Sequence, residues 1–473
     1  MFRTLMTAAS ALALAACATG PDHVAPQTPS AAAGAFVAAT TPALDPLAPV
    51  RADWWKLYDD PVLDGLIADA QAANTDVRVA VARLDRARAA LRETRTDRLP
   101  QVGVGAGASY GRVPAAQLPP GAPRQDWSID AGLDVAYEVD LFGRVTRGIE
   151  AARGDLGAAQ ADEEAVRVAV TAQTVRAYAD AASAAERIGV AERIVALLDR
   201  SLSLTQRRQQ VGLTTGLDTA RIATLRDQRR AEIPALAAER DAALFRLATL
   251  TGRAPAELPP IAGQRAVTLR LAQPIPVGDG AALLARRPDV RAAERRLAAA
   301  TARIGVATAD LYPRISLGGS VGSTGANIAD VFGGGPLRWL LGSLISWSFT
   351  DHERARARVA GAEADSRAAL AQFDGTVLRA LEETETALSG YARMLDRRTA
   401  LRAARDSAER AARIVRAQQR EGQVDGLVLL DAERSFAETE AQLAAIDAGI
   451  ATAQIDLFRA LGGGWGGTTR APG

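Results

Sequence analysis

The sequence predicts an α+β membrane protein, a duplicated repeat of long coiled-coil helices plus a β-hairpin. Three observations carry that prediction. Asp126 to Phe142 alternates apolar and polar residues with period two over about 16 residues. Arg144 to about Gln210 contains no proline and sets Val166, Val170, Ala177, Ala184, Ile188, Ala191, Val195, Leu198 and Leu202 on steps of three, four or seven, a coiled-coil seam. Segments of the first half also return in the second at a nearly constant offset.

The alternating stretch is the organising element. Trp127, Ile129, Ala131, Leu133, Val135, Tyr137, Val139 and Leu141 fall on one face. Asp130, Asp134, Glu138 and Asp140 fall on the other, among Ser128, Gly132 and Ala136. Strands of soluble proteins usually run about 5 to 6 residues. A strand this long, apolar outside, acidic inside and aromatic near both ends, fits a transmembrane β-barrel wall.

The chain has 473 residues, enough for two or three domains. Lys plus Arg is 56 against 55 for Asp plus Glu, so net charge gives no reason to expect a nucleic-acid partner. Aromatics are only 4%, a composition that suits long helices more than a thick aromatic core. Arg3 and the apolar run Leu5 to Ala16 read as a signal peptide over 1–16, too short to span a bilayer. It ends Leu14-Ala15-Ala16-Cys17, which resembles the lipobox of bacterial lipoproteins. That resemblance implies lipid attachment at Cys17 and, with Ala18 following, retention at the outer membrane. Cys17 is the only cysteine, so no disulfide can form.

Residues 17–53, rich in Pro, Ala and Thr, read as a linker. The first repeat is expected over 54–252, with its hairpin at 100–142. Asp59 or Asp60 before Pro61 starts a helix; Thr75 is expected to cap a second one, running to about Leu99. Val102, Val104, Ala106, Ala108 and Tyr110 then alternate with glycine and serine as the partner strand. The Val211 to Asp218 stretch is a turn capped by Thr215 or Asp218, and a helix follows to Leu250 with a kink at Pro234. Residues 253–279 read as a connector with one strand. The second repeat is expected over 280–461, with its hairpin at 313–350 and a return strand Leu337 to Phe349, ahead of a tail at 462–473.

The duplication rests on aligned words. VRVAVARL at 77 meets VRAAERRL at 290, and LPQVGVG at 99 meets YPRISLG at 312, both at an offset of 213. VDLFGR at 139 meets FTDHER at 349, and GLTTGLDTAR at 212 meets GQVDGLVLLD at 422, both at 210. In each half one helix of roughly 100 Å runs alongside two shorter helices summing to about 90 Å. One chain supplies four strands, whereas a barrel needs at least about eight. Open edges in lipid leave unpaired backbone groups. Two copies would give a barrel filled by its own side chains, and the acidic, glycine-rich inner faces favour three copies and twelve strands around a pore.

The residues now carry a family resemblance. WWKLYDDPVLDGLI at 54–67, Tyr137-Glu-Val-Asp-Leu-Phe-Gly-Arg144 and the start Cys17-Ala-Thr-Gly-Pro resemble TolC-like outer-membrane efflux proteins, in the lipoprotein subgroup that serves resistance-nodulation-division pumps. Thr350-Asp-His-Glu-Arg354 departs from that family's pattern at the second strand-to-helix corner. The resemblance implies a homotrimer, with a 12-stranded outer-membrane β-barrel continuous with a 12-helix periplasmic α-barrel. It implies a passive exit duct, fed by an inner-membrane pump and a periplasmic adaptor, and contact with outer-membrane lipid.

Leu427-Val-Leu-Leu-Asp431-Ala-Glu-Arg434 resembles the family's periplasmic gate. Leu427, Asp431 and Arg434 share a helix face, and rings of them can close a pore. Asp431 is expected to pair with Arg434 or with Arg221. Gly212, Gly216, Gly422 and Gly426 mark tips that would meet the adaptor. Asp130, Asp134, Glu138 and Asp140 are expected to line the lumen and favour cations. No catalytic residue, metal ligand set or cofactor is expected. His23 and His352 are the only histidines, and no G-x-x-x-x-G-K motif exists. The other readings are a non-conducting coiled-coil scaffold that bridges envelope layers, and the same channel fold serving type I secretion.

Overall fold

A computed structural model describes residues 19–27, 30–114, 116, 120–121, 123–333, 337–347 and 352–463. The signal peptide, Cys17, the corner residues Phe349 to Asp351 and most of the tail lie outside the described residues. In chain order the principal elements are β1 (Leu44–Asp45), α1 (Pro61–Ala73), α2 (Thr75–Thr96), β2 (Gln101–Arg112), β3 (Gln125–Val139), α3 (Arg144–Gln210) and α4 (Gly216–Leu250). The second half brings β4 (Ile275–Pro276), α5 (Gly280–Arg286), α6 (Pro288–Ala309), β5 (Arg314–Gly325), β6 (Leu337–Ser346), α7 (His352–Arg420) and α8 (Gly426–Ala460). The long helices α3 and α7 have 67 and 69 residues, so the two halves are built to one plan.

The chain divides into two compact units. One holds a four-stranded antiparallel sheet in the order β2-β3-β5-β6. Ala106 lies opposite Ala131, and Leu133 opposite both Val104 and Val321, so the apolar residues share a face across three strands. The two hairpins pair directly through β3 and β5. β2 and β6 each keep one edge without a partner strand among the described residues. In the same unit Thr19 donates its N–H to the Phe142 carbonyl, and Arg147 holds Asp22 at 2.7 Å. A Cβ on Gly154 would lie 2.8 Å from the Ala299 methyl, so α3 and α6 approach as closely as small residues allow.

The other unit contains the main apolar core. Trp54 is fully buried and stacks on Phe458 at 4.6 Å, among Leu63, Leu247, Leu283, Leu388 and Ile455. Asp60 caps α1 by accepting from the Val62 and Leu63 N–H groups. Its second oxygen accepts from the Tyr178 hydroxyl at 2.9 Å and from Arg265 at 2.8 Å, which supplies the pairing a buried carboxylate requires. Burial pushes the Tyr178 phenol up, and the Asp60 carboxylate adds to that shift.

Two expectations are corrected here. Asn74, not Thr75, starts α2. Its Oδ1 accepts from the Asp76 and Val77 N–H groups, while Nδ2 donates to the Leu250 carbonyl. One amide side chain thus caps one helix and satisfies the end of another, which a threonine hydroxyl could not reach. The helix ends at Thr96, short of Leu99. The one strand expected in the connector is present as β4, and it pairs in parallel with β1 from the linker.

Candidate functional site: channel wall and gate

The polar face of the sheet is built for space. Gly103 lies opposite Asp134, Gly105 opposite Gly132 and Gly107 opposite Asp130. Across the other side Ser320, Gly322 and Thr324 continue the same rows. A Cβ on Gly107 would come within 3.1 Å of an Asp130 oxygen, so the carboxylates lie over bare backbone. The opposite face exposes Val104, Leu133, Leu317, Trp339 and Leu341, the composition of a lipid-facing wall.

The four acidic residues expected on the polar face do not act alike. Asp140 lies beyond the end of β3. Its two oxygens accept from the Val145 and Thr146 N–H groups, so it caps α3 rather than lining the sheet. The chain bends over Leu141 to Gly143, where Gly143 takes a φ of 78°, and this breaks the period-two alternation after β3. Glu138 stays on β3 but receives both Nε and Nη2 of Arg144, at 2.7 and 2.6 Å. Asp130 has Arg338 at 3.9 Å, a residue that sequence reading passed over. Asp134 has no cationic partner among the described residues. The negative field of the face is therefore narrower than four free carboxylates would make it.

In the other unit, α3 and α4 join at one turn and α7 and α8 at another. Gly212 (φ 78°) and Gly422 (φ 77°) sit in the left-handed region that side chains avoid. Leu213 donates to the Arg208 carbonyl and Gln423 to the Gln418 carbonyl, so each helix ends in the same six-to-one closure. Gly216 and Gly426 begin the next helices. A Cβ on Gly426 would lie 3.1 Å from Asp218, which shows why that position is bare. Arg208 donates to the Gln419 carbonyl and ties the two turns together.

Leu427, Asp431 and Arg434 share an exposed face of α8. Arg434 does not pair with Asp431. It donates to Glu438, one turn further along the same face, at 2.9 Å, and that carboxylate raises its pKa. Arg221 is exposed and makes no ion pair with Asp431; its charge acts on Asp218. On the opposite face lies a group that the sequence reading missed. Glu433 is 3% exposed, accepts both Nε and Nη2 of Arg416 at 2.7 and 2.6 Å, and also accepts from Ser201. Arg416 in turn covers the Phe436 ring at 5.7 Å. The signal was available: Glu433 interrupts the apolar stripe Leu429, Phe436, Ala437 at helical spacing.

A family model described as outer membrane efflux protein matches residues 66–253 and 281–463. The chain belongs to the outer membrane efflux protein family. It is 33% identical to the outer membrane protein OprJ of Pseudomonas aeruginosa, over 96% of this chain and 94% of that one. It is 28% identical to the antibiotic efflux pump outer membrane protein ArpC of Pseudomonas putida, over 98% and 95%. Its fold superposes on the outer-membrane channel OprN with a TM-score of 0.88 and 37% identity, covering 95% of this chain and all of that one. This member of the efflux family is therefore a TolC-like outer-membrane channel that extends into the periplasm, a transport duct.

Proposed function

We propose that three copies assemble into the exit duct of a tripartite efflux system, and that it passively exports drugs or other small solutes. The observation that carries the assembly is the open sheet. Four strands with an apolar face and two unpaired edges cannot stand alone in lipid. Pairing the β6 edge of one copy with the β2 edge of the next closes twelve strands. An inner-membrane pump of the resistance-nodulation-division class and a periplasmic adaptor supply the cargo. The adaptor contacts the turns at Gly212, Gly216, Gly422 and Gly426. Cys17 carries the lipid anchor. The naming of ArpC as an antibiotic efflux pump outer membrane protein supports this reading.

The gate is the exposed face Leu427, Asp431 and Arg434, repeated three times around the axis, with Arg221 at its rim. Rings of leucine hinder wetting and rings of charge select ions. Asp134 and Asp130 line the lumen with Glu138, whose charge Arg144 offsets. The test is single-channel recording of the reconstituted protein together with cross-linking. A cross-linked trimer with a discrete, mildly cation-selective conductance is expected. A monomer in detergent without conductance would overturn the proposal.

A further inference from the structure

Duplication gives every contact between the two repeats a counterpart elsewhere on the chain. α4 and α8 correspond residue for residue at an offset of 210, and α3 and α7 end at Gln210 and Arg420 on the same offset. Inside the chain, α3 packs antiparallel on α8. Arg176 pairs with Asp456 at 2.5 Å, and Ser201 donates to Glu433 at 3.0 Å. Between those two contacts, Val190 and Ile194 cluster with Ala437 and Ala444. All of these residues belong to one compact unit.

The counterparts of this seam lie open. Val168 on α3 is 6% exposed, whereas Leu378, its counterpart on α7, is 67% exposed. Ile455 on α8 is 1% exposed, whereas Phe245, its counterpart on α4, is 54% exposed. Ile194 and Ala437 are buried, and their counterparts Ala404 and Asp227 are exposed. The exposed counterparts form one face on each helix. Ser389, Arg393, Ala400, Ala404 and Ala411 stand on steps of four and seven along α7. Asp227, Ala231, Pro234, Ala238, Asp241 and Phe245 stand on steps of three and four along α4.

We infer that α7 of one copy packs on α4 of the next copy, in the antiparallel register that α3 and α8 keep within a chain. The inference rests on the three-copy reading above, and it adds the helix pair, the register and the residues in contact. Carrying the intrachain contacts across by 210 residues fixes the partners. Ile194 and Ala441 line one cavity, and they become Ala404 and, on the next copy, Ala231. Ser183 and Ala448 line another, and they become Arg393 and, on the next copy, Ala238. Asp241 lies one turn from Ala238 on the same exposed face, and it has no ion pair among the described residues. Arg393 has only a surface pair with Asp396, at 3.1 Å. The register therefore brings a cation of one copy to a carboxylate of the next, the complementarity that fixes how two surfaces align. Its direction agrees with the sheet, where β6 of one copy meets β2 of the next.

The experiment is cysteine cross-linking of the full chain in detergent, with Cys17 the only native cysteine. A disulfide needs Cα atoms within about 7 Å, so it reads register directly. The pair Ala231→Cys with Ala404→Cys is expected to yield covalent dimers and trimers on oxidation. The pair Ala238→Cys with Ala404→Cys is shifted by about 10 Å along the helix and is expected to yield about tenfold less. The pair Ile194→Cys with Ala441→Cys is expected to link within one chain, without added mass, which shows that the helices tolerate such pairs. A second reading exchanges the charges. Arg393→Asp is expected to lower the temperature at which the trimer separates into single chains, and Asp241→Arg added to it is expected to restore that temperature. A conducting trimer in which the shifted pair links as well as the matched pair, or in which the exchange restores nothing, overturns the inference and leaves the channel standing. A preparation with the mass of a single chain and no conductance counts against the three-copy reading instead.

Discussion

The two helical turns, α3–α4 and α7–α8, share a backbone and differ in what fixes them. Each ends its long helix with a left-handed glycine and the same six-to-one closure. The first is then pinned by local hydroxyl chemistry. Thr215 and Asp218 form a reciprocal capping box, Thr214 donates to the same carboxylate, and Thr219 donates to Gln209. The second has only Asp425 at its cap. Its helix is held instead two turns further on, through the buried Arg416–Glu433–Ser201 cluster. Duplication thus copied the turn and left the electrostatics free to specialise. The first tip is fixed at its end, and the second is fixed above its end, which leaves the Leu427 turn the freer of the two.

The largest expected effect is at that cluster. Glu433→Ala leaves the Arg416 guanidinium half-buried without its carboxylate. Breaking a buried pair in this way costs about 3–5 kcal/mol. Thermal unfolding of the assembled protein is expected to fall, and single-channel conductance to rise as α8 loosens. Loss of stability with unchanged conductance would make the cluster a support of the core and not of the gate.

Next comes the exposed face itself. Asp431→Ala together with Arg434→Ala removes two exposed charges, of which Arg434 gives up only its surface pair with Glu438. Conductance is expected to rise with hardly any change in thermal stability. The pair of experiments separates two roles: Glu433 moves both readouts, whereas Asp431 and Arg434 move one. Equal behaviour of the two variants would break the distinction between the faces of α8.

Glycine substitutions sharpen the shared part of the comparison. Gly212→Ala and Gly422→Ala each force a side chain into the left-handed region, at about 1–2 kcal/mol. Since φ differs by only one degree between them, equal losses of stability are expected. A much larger loss at Gly422 would mean that the second turn depends on its backbone more than its hydrogen bonds indicate.

Much of this was legible in the sequence because periodicity reports faces. Period two placed Ala131 and Leu133 correctly, and the glycines after Gln210 and Glu421 marked both turns. What stayed hidden depended on partners distant in the chain. Asn74 looked like a helix break, since its second partner, the Leu250 carbonyl, lies far along the chain. Asp140 looked like one more step of an alternating strand, because alternation alone does not say where a strand bends. Glu138 and Asp130 looked like free charges until Arg144 and Arg338 were placed beside them. Glu433 stood in plain view as an acid in an apolar stripe, and only the packing of α3 and α7 supplied Ser201 and Arg416.

The smallest effect tests the first tip by pH. The Thr215 hydroxyl, then that of Thr214, holds the Asp218 carboxyl below the usual carboxylate range. A depressed folded value means that the stabilisation is fully present above about pH 4, the ordinary carboxylate range, and is lost as pH falls through the folded value. Amide protection at Asp218 and Thr219, corrected for intrinsic exchange, is expected to drop in that acid range. Asp218→Asn removes the titrating group, so its protection is expected to stay flat across the same range. Protection that fell equally in both proteins would place the acid sensitivity elsewhere, and the capping box would then not be what distinguishes the first turn from the second.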